Sequence, residues 1–111
     1  MSRVRLDRAL VLEVPLRVAD GAGGFAEGWQ AVGTIWAEVR PGNARMVGAM
    51  EAAAVTLPLR ITVRGVPQAH ALRPKAGQRF REGARLFLIG AVAERDGTGR
   101  YLICAAEEVF A

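Results

Sequence analysis

The sequence predicts an all-β chain: a small antiparallel β-barrel or sandwich of about six strands, with one long loop or short helix between strands 2 and 3. Three observations point there. Residues alternate with a period of two in Leu10–Val18, Trp29–Arg40 and Val55–Arg64, the spacing of strands with one buried face. Two further runs, Arg85–Ala93 and Tyr101–Ala106, are apolar on both faces and flank Asp96-Gly97, a tight-turn signal. No internal repeat, low-complexity tract or heptad interrupts this pattern, and only residues 41–54 lean toward helix.

At 111 residues the chain has room for one domain, residues 1–111, with residues 1–8 as an N-terminal arm and 41–54 as an insertion. Apolar residues make up 51% of it, enough to build a core rather than remain disordered. No apolar run approaches the ~20 residues that cross a bilayer, and residues 1–14 are interrupted by charge, unlike a secretory leader. The reading is a protein made in the cytoplasm, without membrane partners.

In chain order, the first strand places Leu10, Leu12, Val14, Leu16 and Val18 inward and Val11, Glu13, Pro15 and Arg17 outward. Pro15 lacks a ladder donor, so this strand belongs at an edge there. Residues 19–28 form a glycine-rich loop. Gly21, Gly23 and Ala26 mimic a dinucleotide-binding fingerprint, but that motif needs a helix next to hold a pyrophosphate. A strand follows instead, so the loop reads as a flexible hairpin connection.

The strand Trp29–Arg40 turns Gly33, Ile35, Ala37 and Val39 inward and Thr34, Trp36, Glu38 and Arg40 outward. An outward acid, base and large aromatic suit a sheet that meets another protein. Pro41-Gly42-Asn43 ends it. Residues 44–54 are good helix formers weakened by Gly48, with Asn43 as a candidate N-cap. The next strand turns Leu57, Leu59, Ile61 and Val63 inward, and projects Arg60 and Arg64 from its other face. Residues 65–84 read as irregular connection with one short strand near Gln78–Arg81. The two doubly apolar runs then form central strands, or strands with one face against a neighbour, and the chain end continues the last strand.

Little in this list carries catalytic chemistry. Cys104 and His70 are each the only one of their kind. A lone thiol builds no metal site, and His70 has no Asp, Glu or Cys near it in sequence. Glu107 and Glu108 are adjacent and so point to opposite faces of a strand. No phosphate loop and no metalloprotease motif is present. The expectation is no catalytic residue, no metal and no cofactor. The net charge is +4, and Lys75 is the only lysine among 15 basic residues. Arginine favours bidentate contacts and interfaces.

The segments Trp29, Trp36-Ala37-Glu38-Val39-Arg40-Pro41, Val55-Thr56 to Arg64, and the closing hairpin around Asp96 and Tyr101-Leu102-Ile103-Cys104 together carry a resemblance over residues 8–108. The layout resembles the phage head–tail joining proteins, the connector and stopper subunits of long-tailed phages and phage-like gene transfer agents. It departs from them at Met46, where relatives carry an acid, and in the long link Gly65–Gly77. The resemblance implies an all-β subunit of a ring, six copies being expected, between the portal or adaptor ring and the tail terminator or tail tube proteins. Double-stranded DNA would pass through it without sequence readout. It implies that residues 41–54 face the channel, with Asn43, Arg45, Met46 and Met50 nearest the DNA. The residues expected at subunit or partner interfaces are Trp29, Trp36, Glu38, Arg40, Arg60 and Arg64. A second reading is a small barrel like an oligonucleotide-binding fold, stacking single-stranded bases on Trp36 and Phe80 beside Arg60 and Arg64.

Overall fold

The computed structural model describes residues 3–42 and 57–109. Six strands form: β1 (Arg8–Ala19), β2 (Phe25–Pro41), β3 (Leu57–Arg64), β4 (Arg79–Glu82), β5 (Arg85–Glu94) and β6 (Tyr101–Val109). They pair antiparallel throughout, in the order β1-β2-β3-β6-β5-β4, and β4 returns to β1 to close the barrel. The all-β antiparallel expectation holds for these residues. The helical option for 44–54 lies outside the described residues.

Alternation positions the core. Leu10 and Leu12 of β1, Ala37 of β2, Ile61 and Val63 of β3, Phe80 of β4, Phe87 and Ile89 of β5, and Leu102, Cys104 and Ala106 of β6 fill the interior. Burial pushes the Cys104 thiol up to about 12, so it packs as a small apolar side chain. β5 keeps its register with β6 through a bulge between Ile89 and Ala91. Gly90 is the extra residue, and beyond it Val92 takes the inward position.

β1 and β2 outrun the barrel. β4 pairs with β1 only at Val11–Glu13, and β3 pairs with β2 only from Ala37 onward. Residues 14–19 and 25–30 therefore pair with each other alone, as a two-stranded ribbon. The molecule is accordingly elongated, 55 × 35 × 25 Å. Here the sequence expectation needs correcting. Leu16 and Val18 continue the inward alternation of Leu10 and Leu12, yet they are exposed, because the barrel has ended beneath them. The glycine-rich loop is also shorter than expected. β2 starts at Phe25, and the turn Asp20–Gly24 is tied by Asp20 Oδ1, which accepts from the Ala22 and Gly24 amides at 2.8 and 3.0 Å.

The link from β3 to β4 stops the ribbon end of the barrel. Leu72 packs against the core beside Gly33, and Pro74 is fully buried. Gly77 and Gln78 bond to the Ile89 backbone. The Asp96-Gly97 hairpin forms, with Gly97 at φ 81° and Asp96 Oδ1 accepting from Thr98. It is wider than a two-residue turn, since Arg95 N–H closes it on Tyr101 C=O. Gly65 crosses this hairpin so closely that a Cβ there would lie 1.9 Å from the Gly99 carbonyl oxygen.

Two substitutions test this packing. Gly65→Ala forces the β5–β6 hairpin away and should cost about 1–3 kcal/mol. Leu102→Ala opens a core cavity and should cost about 2–5 kcal/mol. Urea unfolding with unchanged slope checks both, while Ala93→Ser, at an exposed position, should leave the midpoint in place.

Candidate assembly surfaces

The short strand β4 meets β1 over three register pairs, and charge reinforces that seam. Glu13 and Arg79 face each other across it. Arg79 Nε donates to Glu13 Oε1 at 2.7 Å, and Arg81 Nε donates to Oε2 at 2.8 Å. Both carboxylate oxygens are thus used, and Glu13 is buried although it lies on the outward side. Arg79 also stacks on Trp29, its guanidinium carbon 4.1 Å from the ring centroid. At the lower end of the seam, Arg8 donates to Glu82 through Nε at 2.9 Å and through a second, shorter bond.

Arg8, Glu82, Arg85 and Glu108 all continue the inward alternation of their strands, so their heads gather at the end of the core opposite the ribbon. Arg85 grips Glu108 with two bonds of 2.8 Å and lies 3.6 Å from Glu82. This belt of alternating sign ends the core with every charge opposed. Among the described residues, no buried side-chain nitrogen or oxygen lacks a hydrogen-bond partner.

Desolvation pushes the Glu13 carboxyl up, but the hydrogen bonds from Arg81 and Arg79 outweigh it and hold the group below the usual carboxylate range. The Arg8 hydrogen bond does the same for Glu82, and that of Arg85 for Glu108.

The outer wall is different in kind. Along β2, Trp36, Glu38 and Arg40 point outward; Arg60 and Arg64 do so from β3. Arg40 and Arg60 are register partners. Glu38 is half-buried, accepting from the Arg5 amide at 2.9 Å and lying 3.3 Å from Arg40. Trp36 is 58% exposed. No acid among the described residues forms an ion pair with Arg60 or Arg64. Five of the six sequence-derived interface residues therefore share the β2–β3 side, and Trp29 lies apart on the ribbon. Asn43, Arg45, Met46 and Met50 lie outside the described residues.

Beyond Arg60 the wall becomes a groove of about 710 Å³ over β3, β6 and β5, lined by Pro58, Leu88, Ala91, Ile103 and Ala105. This is the outer face of the two doubly apolar runs, and the sequence signal for it was that second apolar face. Leu88 is 38% exposed. The ribbon adds Leu16, Val18 and Phe25, all exposed. Sequence reasoning missed the ribbon as a surface because its alternation matches a core-facing strand.

Phe80, offered as a base-stacking platform in the second reading, is fully buried and stacks on nothing from outside. His70 is exposed, and its Nδ1 accepts from the Leu72 amide. Among the described residues there is no cluster of metal-ligating side chains, and no helix is long and apolar enough to cross a membrane.

Charge spent on closing a barrel, with apolar surface left outside, is the build of a structural subunit that docks with others. The family model of the phage head completion proteins matches residues 1–109, and the chain belongs to that structural family. Among solved structures, a chain from the virion of a native gene transfer agent particle is 52% identical over 98% of this chain and 100% of its own length, with a TM-score of 0.78. The solution structure of protein SF1141 from Shigella flexneri 2a is 21% identical over 97% of this chain and 96% of its own, with a TM-score of 0.68; that likeness is one of fold. No curated protein matches the chain.

Acid should loosen the barrel. Glu13, Glu82 and Glu108 are held below their unfolded values, so the stability they confer is complete above the ordinary carboxylate range of about 4.3. It is lost as pH falls through their depressed native values. Denaturation midpoints should stay level from neutral pH to about 5 and then drop. Glu13→Gln should cost about 1–3 kcal/mol at neutral pH and flatten part of that acid decline.

Proposed function

We propose that this chain is a head–tail connector of stopper type in a phage-like particle. Copies form a ring beneath the portal or its adaptor, with tail terminator or tail tube proteins on the other side and double-stranded DNA passing through. The observation that carries this reading is the family match along residues 1–109 together with the near-complete overlap with a chain of a gene transfer agent virion. The surface chemistry supports it. A ring built from one chain needs two different docking faces on each copy, and the outer groove and the ribbon are two such faces at different places.

β2 ends at Pro41 and β3 begins at Leu57, and the two strands are tied there by Gly42 N–H donating to Pro58 C=O at 2.9 Å. That anchor lies at the charged end, away from the ribbon. In the ring reading Asn43, Arg45, Met46 and Met50 face the channel, and Arg45 meets phosphates by charge alone.

Electron cryo-imaging of particles carrying this chain should show a cyclic arrangement of copies on the particle axis at the head–tail junction. Single copies, or copies elsewhere in the particle, overturn the reading. Particles with Arg45→Glu should assemble but hold less nuclease-protected DNA per particle. Unchanged protection removes Arg45 from the channel.

A further inference from the structure

Where the ladder between β2 and β3 ends, a small pocket opens. β3 pairs with β2 only from Ala37 onward. The chain then turns away at Gly65, whose N–H donates to Arg100 C=O at 2.8 Å. The margin of β2 beyond that point is bare. Among the described residues, no backbone hydrogen bond reaches residues 25–36 from the β3 side. Beside this margin, Leu6, Ile35, Trp36, Val66 and Leu72 line a cavity of about 370 Å³, with the exposed Arg64 among its walls. Trp36 lies five residue steps along β2 from Pro41, about 17 Å at strand rise.

The walls are fixed from behind. Arg73 Nη1 donates to Val66 C=O at 2.7 Å, and the Leu72 amide donates to His70 Nδ1 at 3.0 Å. Leu72 packs beside Gly33. A pocket held in shape in advance lowers the ordering cost of binding.

Shape and charge define the occupant. The cavity is at the small end for a ligand site, and five of its walls are aliphatic or aromatic, so it suits one apolar side chain. Along residues 34–40 and Leu57–Arg64 the only acid is Glu38. It is already engaged, accepting from the Arg5 amide and lying 3.3 Å from Arg40. Arg60 and Arg64 have no ion-pair partner among the described residues, so the wall lacks a carboxylate. The bare margin suits extended backbone, because an added strand pairs there while its alternate side chains enter pockets. The other bare stretches of this chain do not supply such a segment. Residues 14–19 contain Pro15 and no acid, and Glu27, the one acid of residues 25–30, sits between Ala26 and Gly28.

We propose that this pocket takes an extended acidic segment of a different protein, which adds a strand to the bare margin of β2, places an aliphatic side chain between Trp36 and Leu72, and sets a carboxylate against Arg64. The contact goes beyond the ring reading and does not require it.

Photo-crosslinking in assembled particles tests it, with p-benzoylphenylalanine in place of the exposed Thr34 and the captured segment sequenced by mass spectrometry. The expected capture is a stretch of another protein with a leucine, isoleucine or valine within two positions of an acid. Arg64→Glu should lower the yield per incorporated copy by about tenfold, Arg64→Lys should keep most of it, and neither should move the thermal midpoint of the free chain. Replacing the captured acid by arginine should restore the yield with Arg64→Glu. Capture of a second copy, of DNA or of a segment without acid overturns the proposal. So do an absent crosslink and a yield that ignores the charge at Arg64. A ring on the particle axis with any of those results leaves the ring reading standing, whereas the expected capture in particles without a ring overturns the ring and keeps this contact.

Discussion

The barrel depends on how its seam is closed. β4 meets β1 over only three register pairs, a short run of backbone pairing for the closure of a barrel. Three ion pairs cross the same line: Arg8 to Glu82, and Glu13 to Arg79 and Arg81. Each joins residues more than sixty positions apart in sequence. Glu13 is buried, so its two pairs lose less to solvent screening than surface pairs do. With the seam shut, Phe80 is held inside, and the opposite wall keeps an apolar outer face.

This division of labour explains the composition. An arginine-rich chain with an excess of base invites a reading in terms of nucleic acid. In the fold, Arg8, Arg79, Arg81 and Arg85 are committed to carboxylates within the chain. Arg17 and Arg95 lie against the rings of Phe25 and Tyr101. Among the described residues, the cations on the β2–β3 wall without an ion-pair partner are Arg60 and Arg64, beside an exposed tryptophan. Such a mixture is typical of docking surfaces.

Much of the fold was legible because period-two alternation is a direct image of a half-buried strand. Ile61 with Val63, Ala37 between Ile35 and Val39, and the paired apolar runs around Asp96-Gly97 all fell where their spacing placed them. Leu16 and Val18 did not. Alternation reports which side a residue faces, and says nothing about whether anything stands on that side. The seam was illegible for a related reason. Glu13, Arg79 and Arg81 look like ordinary outward charges, and their meeting depends on a closure between the first strand and the fourth that local pattern does not encode. On the outer wall, Trp36, Arg40, Arg60 and Arg64 were readable because outward parity on neighbouring strands brings them to one side. Trp29 was misleading, since β2 outruns the barrel there and the bulge between Leu12 and Glu13 turns its ring to the outward face, onto Arg79.

Pro15 has a quieter consequence. It sits on the stretch of β1 that no third strand covers, and it removes one amide from that bare margin. An unblunted margin of this kind is where chains can zip together into fibres. One imino acid there discourages backbone-to-backbone growth along that margin.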